Sequence, residues 1–95
     1  MKEVFTDKAP AAIGPYSQAV IAGDYLFASG AIPINPETGK IVEGIEKQTI
    51  QVMENLRTIL LEANLTFSQV VKFTIYLKNM EDFQKVNEIY GRYLK

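Results

Sequence analysis

Cysteine and histidine are both absent from these 95 residues. That removes the most reactive thiol nucleophile, the commonest general base near neutral pH and the usual zinc ligands. Chemistry in this chain must run on Ser, Tyr, Lys, Arg, carboxylates, backbone amides or water, and no metal or cofactor is expected. Charge of one sign is also missing. Ten Lys and Arg stand against eleven Asp and Glu, a net charge of −1, with no basic run that would track a phosphate backbone. Nucleic-acid binding is therefore disfavoured. Apolar runs are short, broken by Asp24, Gly30 and Pro33 well before the ~20 residues that span a bilayer, and the N-terminus has no apolar leader core. The chain reads as soluble and unexported; a lack of cysteine fits the cytoplasm without proving it.

What is present suits one globular domain over residues 1–95, because 47% apolar content at this length supports a single core. Residues 2–6 could form an edge strand. Ser17–Ala22 and Tyr25–Ile32 are apolar runs joined by Gly23-Asp24, which predicts a β-hairpin. The second run places Tyr25, Phe27, Ser29 and Ala31 on one face and Leu26, Ala28, Gly30 and Ile32 on the other. A loop at Asn35–Gly39 leads to an amphipathic helix over about 43–63, with Asn64 suited to close it in a left-handed conformation. Gln69–Leu77 alternates as a strand, and Asn79 is a candidate N-cap for a second helix over about 81–94. Asn87 falls four after Phe83 and three before Tyr90, which predicts a place on that helix's buried stripe.

The order strand, hairpin, helix, strand, helix predicts an α+β fold, with the crossover helix favouring a parallel pairing for the 69–77 strand and a mixed sheet overall. Two helices on one face leave an apolar and aromatic face that another subunit would cover.

Two turns carry the strongest functional signal. Ile13-Gly14-Pro15-Tyr16-Ser17-Gln18 and Ser29-Gly30-Ala31-Ile32-Pro33 set glycines that expose backbone beside hydroxyl and phenol groups. The bland readings are a packed turn at Tyr16 and Ser17, a strand-end bulge at Gly30, and a backbone-bonded amide at Asn87. Lys72 is most simply a solvated strand lysine. Glu37, Glu43, Glu46, Glu54, Glu62 and Glu88 read as exposed carboxylates without acid/base pairing.

Ala-Ile-Gly-Pro-Tyr-Ser-Gln at 12–18, Ser-Gly-x-Ile-Pro-x-Asn-Pro-x-Thr-Gly at 29–39, Val-Lys-x-Thr-x-Tyr-Leu at 71–77 and Asp-Phe-x-x-Val-Asn-x-x-Tyr at 82–90 together resemble the RidA/YjgF proteins. The resemblance implies a chorismate-mutase-like fold and a homotrimer with clefts between subunits. It further implies cofactor-free hydrolysis of 2-imino acids such as 2-iminobutanoate and 2-iminopropanoate to 2-oxo acids and ammonia. Tyr16 would line the cleft, Ser29 and the Gly30 amide would bind substrate, and Asn87 would support the site. The family's carboxylate-binding arginine and water-positioning glutamate belong to a final two-strand segment beyond Lys95, so no catalytic residue is assigned. A chain ending at Lys95 is accordingly expected to be a shortened form with little activity by itself. The alternative expectation is a non-catalytic trimeric module that binds small metabolites and regulates a partner. RNA cleavage, a label some family members carry, suits this charge balance less well.

Overall fold

The structure is a computed structural model and describes residues 1–12 and 17–94. Three short strands, β1 (Lys2–Val4), β2 (Ala19–Ala22) and β3 (Tyr25–Ala28), form an antiparallel sheet in the order β1-β2-β3. The β2–β3 hairpin is the one the sequence predicts. Ala22 faces Tyr25 across Gly23-Asp24, and Gly23 takes a φ of 61° that a residue with a Cβ adopts only at a cost. A second hairpin, β4 (Ile34–Asn35) with β5 (Lys40–Ile41), which the sequence reading did not predict, brackets the Asn35–Gly39 loop. Asn35 makes it: its Oδ1 accepts from the Glu37 N–H at 2.8 Å and its carbonyl accepts from Gly39 N–H at 2.8 Å.

Helix α1 (Ile45–Glu62) ends as expected on Asn64, whose φ of 61° is left-handed. The Leu65 N–H donates to the Leu60 carbonyl and the Asn64 N–H to the Leu61 carbonyl, so the last carbonyls of the helix find donors without water. One face of the sheet packs on α1. Val4, Ala9, Ala19 and Ile59 are buried together, with Ile21, Leu26 and Ala63 against them. The other face is bare: Phe5, Tyr25 and Phe27 point outward, Tyr25 at 60% and Phe27 at 63% exposure.

Helix α2 (Phe83–Tyr93) packs on α1 through buried Val86 and Ile89. Its start differs in detail from the sequence reading. Asn79 precedes a 3₁₀ turn (Met80–Asp82) and makes no side-chain capping bond. At the seam between the helices the Tyr93 hydroxyl donates to Glu54 Oε2 at 2.9 Å, and the Tyr93 ring meets Phe67 edge-on at 5.6 Å. Partial burial, then the bond to Glu54 and its negative charge, raise the Tyr93 phenol above its usual pKa of 10.0.

The fold class is the α+β class that the sequence predicts, and the departure from it lies at 69–77. That segment has no ladder partner among the described residues, so both sheets are antiparallel and the predicted parallel pairing is not formed. Phe67–Gln69 is a 3₁₀ turn, and the chain from 70 to 77 has no regular secondary structure; within it Phe73 stacks on Tyr90 at 5.8 Å with the ring planes 4° apart. A high β propensity specifies a strand only where another strand offers a free edge. No helix among the described residues is long and apolar enough to cross a membrane.

Candidate functional site

Ser29 stands where β3 leaves the ladder. Its N–H donates to the Gln18 carbonyl at 2.9 Å and its Oγ donates to the Ser17 carbonyl at 2.6 Å. Both donors of Ser29 are thus spent on the neighbouring strand, which leaves its hydroxyl the lone pairs of an acceptor. The chain then turns away, and the predicted pairing of 29–32 is replaced by a free wall. Gly30 on that wall is exposed, its φ is not in the left-handed range, and a Cβ added to it would meet nothing within 4 Å. Neither strain nor crowding explains a glycine here. What it supplies is close approach to the backbone amide, which donates no hydrogen bond among the described residues.

The facing wall is Pro10, Ala11 and Ala12, and it is held by Gln18. This buried carboxamide accepts the Thr6 N–H at 2.8 Å through Oε1. Its Nε2 serves the carbonyls of Thr6, Ala9 and Pro10 at 3.1, 3.3 and 2.8 Å. Ile59 and Asn55 of α1 form the floor, and Ala31 and Ile32 complete the second wall. The partly open cavity is about 110 Å³, room for several waters or a very small organic acid and well below the ~300–1,000 Å³ of drug-sized sites. Among the described residues its lining is mostly apolar with a few fixed polar groups, and none of those residues carries a titratable side chain.

Of the residues singled out from sequence, Ser29 and Gly30 come together in this cavity. Tyr16, with the Gly14-Pro15 turn before it, lies outside the described residues. For Asn87 the predicted place on the buried stripe is corrected. The residue is exposed on α2 and lines neither this cavity nor the apolar pit of similar size formed by Ile75, Leu77, Met80, Phe83, Val86 and Tyr90. The stripe that packs on α1 is centred on Val86 and Ile89, which turns the next residue, Asn87, off the contact. Lys72 is exposed, as the solvated reading has it.

Sequence reasoning passed over Gln18 and Asn55. Asn55 carried a usable signal, since it falls three after Val52 and four before Ile59 on an otherwise apolar stripe, the same pattern that singles out Asn87. Gln18 carried none, because its role depends on which segment folds over it.

The α+β domain thus carries a small cavity that pairs apolar walls with a hydroxyl, carboxamides and a backbone amide that donates no hydrogen bond among the described residues. Residues 6–95 match the family model described as Endoribonuclease L-PSP, and the chain belongs to that family, the RidA/YjgF proteins. A RutC family protein of Pyrococcus abyssi is 54% identical over 91 residues, covering 95% of this chain and 72% of the relative. The chloroplastic Reactive Intermediate Deaminase A of Arabidopsis thaliana is 52% identical over 91 residues, covering 95% of this chain and 49% of that longer protein. Among solved structures, RidA from an Antarctic Psychrobacter superposes with a TM-score of 0.95 at 40% identity, over 100% of this chain and 77% of the other. Escherichia coli TdcF with bound serine gives 0.93 at 37% identity, over 97% and 72%. Apart from the longer Arabidopsis protein, this chain spans about three quarters of the length of these relatives.

Proposed function

We propose that the cavity beside Ser29 and Gly30 binds a small 2-imino acid and promotes its hydrolysis to a 2-oxo acid and ammonia. The observation that carries this reading is Gly30: a glycine that the backbone does not require, at the rim of a small apolar cavity, with an amide that donates no hydrogen bond among the described residues. The 52% identity to a protein named a reactive intermediate deaminase supports it. In this reading the Gly30 amide donates to the substrate carboxylate. Ser29 Oγ, its own proton committed to the Ser17 carbonyl, accepts from the iminium N–H. The apolar walls take a short aliphatic side chain. Water adds to the imine carbon, the carbon–nitrogen bond of the resulting carbinolamine breaks, and the nitrogen leaves with a proton from that adduct as the carbonyl forms. Orientation and proton handling are all the step requires of the protein.

We place the working site in a cleft between copies of the chain in a homotrimer, with Tyr16 and Asn87 beside it. The bare aromatic face of Phe5, Tyr25 and Phe27 supports self-association, being a patch that monomers seldom leave uncovered. The test is whether the assembled full-length protein speeds the loss of 2-iminobutanoate generated in the cuvette, read as reduced trapping by semicarbazide. No acceleration over the spontaneous reaction rejects the proposal. Gly30→Ala is expected to leave the melting temperature unchanged and to raise KM about tenfold, because only substrate approach is obstructed.

A second reading has a specific observation behind it. The solved TdcF relative holds serine, and a cavity of this kind can bind an amino or oxo acid without turning it over. Calorimetric binding of 2-oxo acids with no imine hydrolysis would select that role. Cleavage of RNA finds less support, since the chain has no histidine and its charges are balanced.

A further inference from the structure

Asn55 is 2% exposed in the interior of α1, where the helix stripe otherwise carries Val52, Leu56 and Ile59. A carboxamide at such a position has poor helix propensity and a desolvation cost that an aliphatic side chain avoids. Its bonds reach far along the chain. Nδ2 donates to the Ile32 carbonyl at 3.2 Å and to the Ile34 carbonyl at 2.9 Å, across sequence separations of 23 and 21. Oδ1 accepts from Gln51 Nε2, one turn earlier, at 2.8 Å. A flipped amide would set its oxygen against two carbonyls, so the two wall acceptors and Gln51 agree on one orientation.

The braced carbonyls flank a tight turn. The Ile34 N–H donates to the Ile32 carbonyl at 2.8 Å around Pro33, whose own carbonyl accepts the Val42 N–H at 3.0 Å. Three consecutive carbonyls, at 32, 33 and 34, are therefore each held, two of them by Asn55. This turn ends the cavity wall that starts at Ser29. Ser29 is anchored to the Ser17–Gln18 backbone and Pro33 to Val42, while Asn55 joins the wall to the floor.

We propose that Asn55 is a positioning residue: its carboxamide, oriented by Gln51, fixes the Ser29–Ile34 wall and so sets where the Gly30 amide meets a ligand. The claim that this positioning serves substrate rests on the function proposed above; the claim that Asn55 holds the wall does not.

The test has a readout for each. Backbone amide exchange at Ile34 and Val42, followed by NMR without ligand, is expected to quicken about tenfold in Asn55→Ala relative to amides in the middle of α1. Equal change at all these sites would mean a general loss of stability and would overturn the proposal. With substrate, the same variant is expected to raise KM about tenfold while kcat stays within about twofold, because binding geometry and not the chemical step is disturbed. An unchanged KM with a loosened wall would overturn the link to substrate. Gln51→Ala removes the orienting bond alone and covers the case in which Asn55→Ala fails to fold; it should move the same amides in the same direction by about threefold. Unmoved amides in a folded Gln51→Ala would remove the orienting role. If the wall loosens as expected but the native protein hydrolyses no imine, the functional reading falls and the structural one stands.

Discussion

The two ends of this chain treat their apolar residues differently. From Lys2 to Ala63 strands have partners, α1 covers one sheet face, and Gln18 and Asn55 bridge segments far apart in sequence. From Val70 to Tyr93 only α2 and a few rings are docked, while Val71 is 83% and Tyr76 93% exposed beside an open pit at Met80 and Phe83. Composition does not separate the two regions, since Gln69–Leu77 is as rich in strand-forming residues as the hairpin. Partner availability does. A hairpin brings its own second strand, whereas an extended segment after a long helix depends on an edge supplied from elsewhere.

The sharpest way to break this contrast is to empty the closed region. Met53 is 1% exposed, and Met53→Ala is expected to cost about 2–5 kcal/mol in chemical denaturation. A loss below about 1 kcal/mol would mean the closed region is no better packed than the open one. Next comes the outer sheet face, which belongs to the closed region but is itself uncovered. If copies of the chain meet there, Phe27→Asp should weaken their association about tenfold or more in sedimentation while secondary structure persists. Unchanged association would place any contact elsewhere.

The seam gives a smaller effect with a definite pH sign. Because the folded Tyr93 phenol holds its proton more tightly than in the unfolded chain, the folded state binds more protons above pH 10.0. That contribution is fully present below this pH and is lost as pH rises through the elevated folded value. Tyr93→Phe should flatten the alkaline fall in stability there, and an identical fall in both proteins would show that the Glu54 bond does not form in solution. Smallest is Tyr76→Ser, expected within about 0.5 kcal/mol of the parent because the ring covers nothing in the described structure. A loss above about 1 kcal/mol would show that this segment is covered in solution, and the contrast would weaken.

Much of the site is legible in the sequence because it is built from turns. A hydroxyl and a glycine at a strand end point to Ser29 and Gly30, and both reach the cavity. Tertiary structure adds detail to each: Ser29 donates inward to Ser17, which leaves its hydroxyl only acceptor lone pairs, and Gly30 is exposed with open space where a Cβ would stand. Two asparagines show where such reasoning stops. Periodicity treats Asn55 and Asn87 alike, each at three- and four-residue spacing from apolar neighbours. Asn55 is buried and bonded on three sides, while Asn87 faces solvent because α2 turns its Val86–Ile89 edge to α1.

The sequence alone determined what depends on neighbours in the chain: the Gly23-Asp24 turn, the run of α1 and its Asn64 stop, and the motif blocks that mark the family. Local sterics and 3.6-residue periodicity act within a few residues, so they can be read without knowing the fold. Tertiary structure decided which wall Gln18 grips, which helix edge is buried, that Asn55 braces the Pro33 turn, and that 70–77 joins no ladder among the described residues. Each of these is a pairing between distant segments, and a hydrogen-bonding group or apolar face carries no record of its partner until the chain has brought the two together.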